Sequence, residues 1–150
     1  MKYHEIKSDI WEDEKFIELK TEEKLLFIYL STNQRCPPSG MYKLSIRTVE
    51  FETGIIDCSF ALDRLVDLGL IEFDKKKNSF WICGKIKHHK TNFNSDYVTV
   101  KSISNDLENF KATSWYSSIF DKYPQLIDIG IQLEQMKKIR YNPKEKQTCL

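Results

Sequence analysis

A chain of 150 residues that is 41% hydrophobic and 13% aromatic carries enough apolar material for one compact domain and has no room for a second full one. No apolar run approaches the ~20 residues of a membrane span, and residues 1–20 are polar with no signal-peptide core, so the sequence predicts a cytoplasmic protein without membrane partners. The net charge of +1 hides a step: residues 1–74 hold 9 Lys/Arg against 15 Asp/Glu, and residues 75–150 hold 14 against 7.

Met1 to Phe16 reads as a short extended arm with one helical turn, its large apolar groups Tyr3, Ile6, Ile10, Trp11 and Phe16 set among acids, with Trp11 expected as the anchor. Thr21 is the expected N-cap of the next helix. Glu22 and Glu23 complement its dipole, and Leu25 to Leu30 is apolar almost all round, as a mostly buried helix requires. Ser31 to Ser39, with Pro37-Pro38, is a loop.

Gly40 to Gly84 spells a complete unit: strand, helix, turn, helix, hairpin. Met41-Tyr42-Lys43-Leu44 is a short extended run. Ser45 is the expected N-cap of a helix carrying Ile46, Val49 and Phe51, which Gly54 stops. Asp57 is the expected cap of a second helix, with Phe60, Ala61, Leu62, Leu65, Val66 and Leu68 as a broad apolar stripe and Gly69-Leu70 as a Schellman ending. Two helices so joined make a helix-turn-helix. Leu70–Phe73 and Phe80–Ile82, alternating in character and separated by residues 74–79, form the hairpin or wing.

Beyond the wing, residues 86–94 form a polar connection rich in Lys, His and Asn. Tyr97 to Phe110 suggests a helix near Ser102 to Asn109, and Ser114 is the expected cap of another carrying Trp115, Tyr116, Ile119, Phe120 and Tyr123. That aromatic cluster suits core packing, a dimer interface or base stacking. Residues 124–139 are ambiguous: Ile127, Ile129, Ile131 and Leu133 alternate like a strand, whereas Leu126, Ile129, Leu133 and Met136 follow helical spacing. Lys137, Lys138, Arg140, Lys144 and Lys146 make residues 137–150 a basic tail. The predicted class is thus α+β, mainly α: a winged helix-turn-helix of three core helices and a hairpin over 21–84, an arm at 1–20, extra helices at 85–123, and 124–150 as an ambiguous segment with a tail.

Trp11 and Phe16, Lys24 to Leu30, Gly40 to Ser45, Glu52-Thr53-Gly54, Ala61-Leu62 with Leu65, Gly69-Leu70-Ile71, and Trp81-Ile82 leading into Lys85-Ile86-Lys87-His88 together resemble the N-terminal winged-helix domain of phage and prophage replisome organisers, the DnaD-like replication initiators. The resemblance spans roughly residues 1–120 and rests mostly on core and turn positions, which bear on fold more than on activity. It implies binding of origin DNA, self-association, and contact with replisome or helicase-loading proteins.

Chemistry-bearing motifs are few. No Gly-rich phosphate loop, G-x-S-x-G elbow or H-E-x-x-H helix occurs, Cys83 beside His88 and His89 lacks an orienting third group, and no enzymatic activity or cofactor is expected. Cys36, Cys58, Cys83 and Cys149 lie far apart without a C-x-x-C pair, which suits reduced thiols, and Cys83 with His88 falls short of the four ligands of a zinc site.

Two functions follow, and they predict different surfaces. In a module that binds double-stranded DNA, Lys75, Lys76 and Lys77 on the wing, with Lys85, Lys87, His88 and Lys90 after it, hold phosphates, while Lys43, Arg47, Ser59 and Arg64 lie at or near a groove. A transcriptional regulator of phage or prophage origin is a variant. In a protein-interaction module, the second helix, whose outward face carries Asp57, Asp63 and Asp67 against Arg64, and the N-terminal arm form the interface with a partner instead. The same face reads equally as a solvated one with an Arg64–Asp67 pair, and the wing lysines as protection of a sheet edge. Apolar area around Trp11 and Trp115–Tyr123 predicts a homo-oligomer.

Overall fold

The computed structural model describes residues 3–85 and 97–124, with side chains of 97–100 left aside. The chain is α+β and mainly helical. A 3-10 turn, Ser8–Glu12, leads into α1 (Glu14–Ile17), followed by α2 (Thr21–Thr32), β1 (Met41–Lys43), α3 (Ile46–Thr53), α4 (Ser59–Asp67), β2 (Ile71–Asp74), β3 (Ser79–Ile82), α5 (Tyr97–Asn109) and α6 (Tyr116–Lys122). The strands make one antiparallel sheet in the order β1-β3-β2, with Met41 opposite Trp81 and Ile71 opposite Ile82.

Local chemistry sets the helix ends. Ser45 Oγ accepts from Thr48 N at 3.2 Å at the start of α3, and Leu70 N donates to Leu65 O at 3.0 Å beyond α4, the 6→1 bond of a Schellman ending. Three expected caps shift by one residue. The N-cap of α2 is Lys20, whose N donates to Glu23 Oε2 at 2.8 Å, and Thr21 is the first helical residue. The N-cap of α4 is Cys58, while Asp57 stands one residue further out and accepts from Ser59 N at 3.0 Å. α5 also begins earlier than Ser102, and Trp115 rather than Ser114 is the N-cap of α6.

Two apolar layers enclose the sheet. On one side Phe16, Leu26, Leu30, Val49, Leu62, Leu65, Ile71, Phe80 and Ile82 form the main core. On the other, Met41 and Trp81 pack with Ile103, Leu107, Phe110, Trp115, Ile119 and Tyr123. β3 is therefore buried at all four positions, against the half-exposed alternation expected of a wing strand, because α5 and α6 cover its second face. The aromatic residues Trp115 and Tyr123 are core, which removes them as an exposed basis for self-association.

The arm departs from its expected role. Trp11 remains 61% exposed and meets Phe16 edge-on at 5.2 Å between centroids, and it is Phe16 that is buried as the anchor. The loop before β1 is held by polar groups: Tyr42 Oη donates to Leu30 O at 2.6 Å, and Ser39 Oγ donates to Asp106 Oδ2 at 2.7 Å.

Gly40 closes this loop with φ +75°, and a Cβ there would stand 2.8 Å from Ile82 O and 2.9 Å from Lys85 Cβ. Gly54 has nearly the same φ, +76°, but opens on empty space. Both alanine variants carry the left-handed strain, about 1 to 2 kcal/mol. Gly40→Ala must also push β3 backbone aside, so its unfolding free energy should fall by about 1 to 3 kcal/mol more than that of Gly54→Ala. Paired denaturant titrations measure the difference, and equal midpoints would contradict the close approach.

Candidate nucleic-acid interface

The sheet register builds a cationic corner. Lys43 ends β1 opposite Ser79, Ser79 pairs with Asp74, and residues 75–78 turn between them, with Asn78 at φ 46°. Adjacent strands lie ~4.8 Å apart, so Lys43 sits about two strand spacings, ~10 Å, from the start of the turn. Leu44 N donates to Asn78 O at 2.9 Å, which ties the tip to the residues just before α3, and Arg47 follows in the first turn of that helix. Lys43, Arg47, Lys75 and Lys76 are all exposed there.

The other predicted residues behave differently. Lys77 is exposed, but its Nζ donates to Ala112 O at 2.7 Å and ties the wing to the α5–α6 loop. Lys85 Nζ donates to Ser31 O at 2.7 Å, so it serves the junction of α2 with the end of β3. Arg64 faces Glu18, 3.5 Å away and 46 residues earlier in the chain, rather than Asp67. Ser59 Oγ bonds the Asp57 carboxylate. Lys87, His88 and Lys90 lie outside the described residues.

Asp74 underpins the β2–β3 hairpin. Its Oδ2 accepts from Ser114 N at 3.0 Å and its Oδ1 from Lys77 N at 3.1 Å. These bonds, that from Ser114 foremost, hold its carboxyl below the usual carboxylate range. A depressed carboxyl stabilises the fold above its unfolded value of about 3.9, and the contribution disappears as pH falls through the folded pKa. Asp106 opposes this, because burial raises its pKa against the bond from Ser39 and its contribution is lost as pH rises instead. The part due to Asp74 is therefore the difference between wild type and Asp74→Asn. Acid titration of stability should show two curves separated near neutrality that converge below about pH 4; parallel curves would mean that Asp74 does not carry the wing contact.

Acidic groups nearby are partly engaged. Glu52 accepts a two-pronged bond from Arg35 at 3.0 and 3.1 Å and a further bond from Tyr29 Oη, linking α2, its following loop and the end of α3. Burial, then Glu52, pushes the Tyr29 hydroxyl up to about 12. Glu50 Oε1 accepts from Cys58 N at 3.2 Å across the α3–α4 turn.

Two residues reverse their expected placement. Phe51 and Phe60, expected in the apolar stripes of α3 and α4, are 88% and 84% exposed, and Ile56 between them is 95% exposed. Sequence reasoning missed this patch. Phe60 is out of phase with the buried Leu62 and Leu65, but nine helical residues are too few for that spacing to single it out.

The nucleophile reading of Cys83 has a physical counterweight. Its thiol is buried and lies near Lys122 Nζ at 3.7 Å, and burial dominates, pushing it up to about 11, where the thiolate is scarce at neutral pH. Cys36 and Cys58 are likewise buried thiols. Among the described residues no group of three or more His, Cys, Asp or Glu is placed to hold a metal ion, and no helix is long and apolar enough to cross a membrane.

No family model, curated protein or solved structure matches the chain.

Proposed function

We propose that the chain is a DNA-binding winged-helix protein of the kind that organises phage-type replication initiation, and that its wing and the start of α3, rather than α4, meet double-stranded DNA. The observation that carries this reading is the corner where Lys43, Arg47, Lys75 and Lys76 stand exposed around the hairpin turn, joined by the Leu44–Asn78 bond. Amines and guanidinium on separate elements around one convex tip suit phosphate contacts, which position a protein on the duplex without reading its sequence. α4 is poorly suited to major-groove readout: Asp57, Asp63 and Asp67 meet phosphate repulsion, and Arg64 is turned toward Glu18. Replisome or helicase-loading partners and a homo-oligomer belong to the same proposal through the family resemblance.

A salt-dependent titration with duplex DNA tests it. Binding at low salt should fall steeply as salt rises and differ little among sequences. A protein that binds no duplex at low salt would end this reading.

A protein-interaction module is the second reading, and the apolar exposure of Phe51, Ile56 and Phe60 favours it. An exposed apolar patch rimmed by polar groups marks a contact surface more often than a solvated one.

A further inference from the structure

Phe51, Ile56 and Phe60 lie within ten residues around the α3–α4 turn, which the Glu50–Cys58 bond pins. Along α4 the spacing from Phe60 to Asp63 and Asp67 places the two exposed acids on the same helix face as Phe60. Arg64 shares that face but is turned toward Glu18, so the surface is apolar at one end with three acids against one cation along the rest, and its complement carries both apolar and cationic groups.

We propose that the occupant of this surface is the chain's own segment 125–150. That segment has Ile129, Leu133 and Met136 at helical spacing, followed at once by Lys137, Lys138 and Arg140. Anchors at such spacing fill apolar grooves in helix recognition, and the following cations match Asp57, Asp63 and Asp67. Reach is not limiting. Tyr123 Oη donates to Cys83 O, and Cys83 N donates to Leu70 O at 3.2 Å, so Pro124 follows a point close to the C-terminal end of α4. From there Phe60 is about eight helical residues away, ~12 Å. The nine residues from Pro124 to Leu133 span up to ~30 Å when extended. The docking covers the apolar patch and neutralises the helix that repels DNA, and it stands whether or not the wing binds DNA.

Photo-cross-linking in the full chain tests it, with Phe60 replaced by p-benzoylphenylalanine, a larger aromatic at a position already open to solvent. Irradiation should give a cross-link within one chain, mapped by mass spectrometry to residues 125–150. Combining Lys137→Glu, Lys138→Glu and Arg140→Glu should cut its yield about tenfold, as the loss of three exposed ion pairs acting together implies. The same photoprobe at Phe51 gives a second site. Cross-links that join two chains and grow with protein concentration would assign the surface to a second copy and overturn the proposal. So would the absence of any cross-link to 125–150 from both positions.

Discussion

Replacing Leu65 with alanine should cost about 2 to 5 kcal/mol, a large share of the roughly 5 to 15 kcal/mol that holds a typical domain together. Leu65 is fully buried in the main core on α4, which packs on both α2 and β2. Truncation removes apolar surface from a site whose neighbours come from several elements, so the cavity cannot collapse without moving them. Phe60→Ala, five residues earlier on the same helix, supplies the contrast. Its ring lies outside the main core, and its loss should cost far less than that of Leu65, with residues 125–150 docked on it or not. Urea denaturation of both variants measures this. A Leu65→Ala midpoint equal to wild type, or a Phe60→Ala midpoint as low as that of Leu65→Ala, would mean that α4 faces the core with its other side.

The largest functional effect is expected at the cationic corner. Replacing Lys43, Lys75 and Lys76 together with alanine should weaken binding to any duplex and flatten the log–log salt dependence by about 0.9 for each phosphate no longer neutralised, about 2 to 3 in all. Lys77 is left in place because its amine holds Ala112 O, and its removal would mix a DNA effect with a loosened wing. Arg64→Ala should leave affinity and salt slope nearly unchanged, since its guanidinium is turned toward Glu18. Were Arg64 a base reader, its loss would cost about 1 to 3 kcal/mol on a preferred site and little elsewhere. A triple variant that keeps the wild-type affinity and slope would remove the wing from the interface. A sequence-dependent loss at Arg64 would return α4 to the groove.

The order strand, helix, turn, helix, hairpin was legible because its signals are local. Ser45 meets Thr48 three residues away, Leu70 reaches Leu65 within one turn, and the hairpin turn closes within a few residues, so short-range chemistry settles each whatever surrounds it. The wing lysines were legible as a charge run for the same reason. Their grouping with Lys43 and Arg47 was not, because it depends on β1 crossing over to pair with β3 some forty residues later. Nor were the contacts of Arg64 with Glu18 and of Lys85 with Ser31, made across 46 and 54 residues. The missed faces have a related cause. Helices of eight and nine residues are too short for periodicity to show which apolar groups turn inward, so Phe51 and Phe60 looked like core until α2 was seen to cover the other side. β3 shows the reverse: an alternating strand lost its exposed face when α5 and α6 brought Trp115, Ile119 and Tyr123 over Trp81. Local hydrogen bonds act over a few residues and can be read along the chain, whereas burial is settled by whichever distant element wins the same apolar surface.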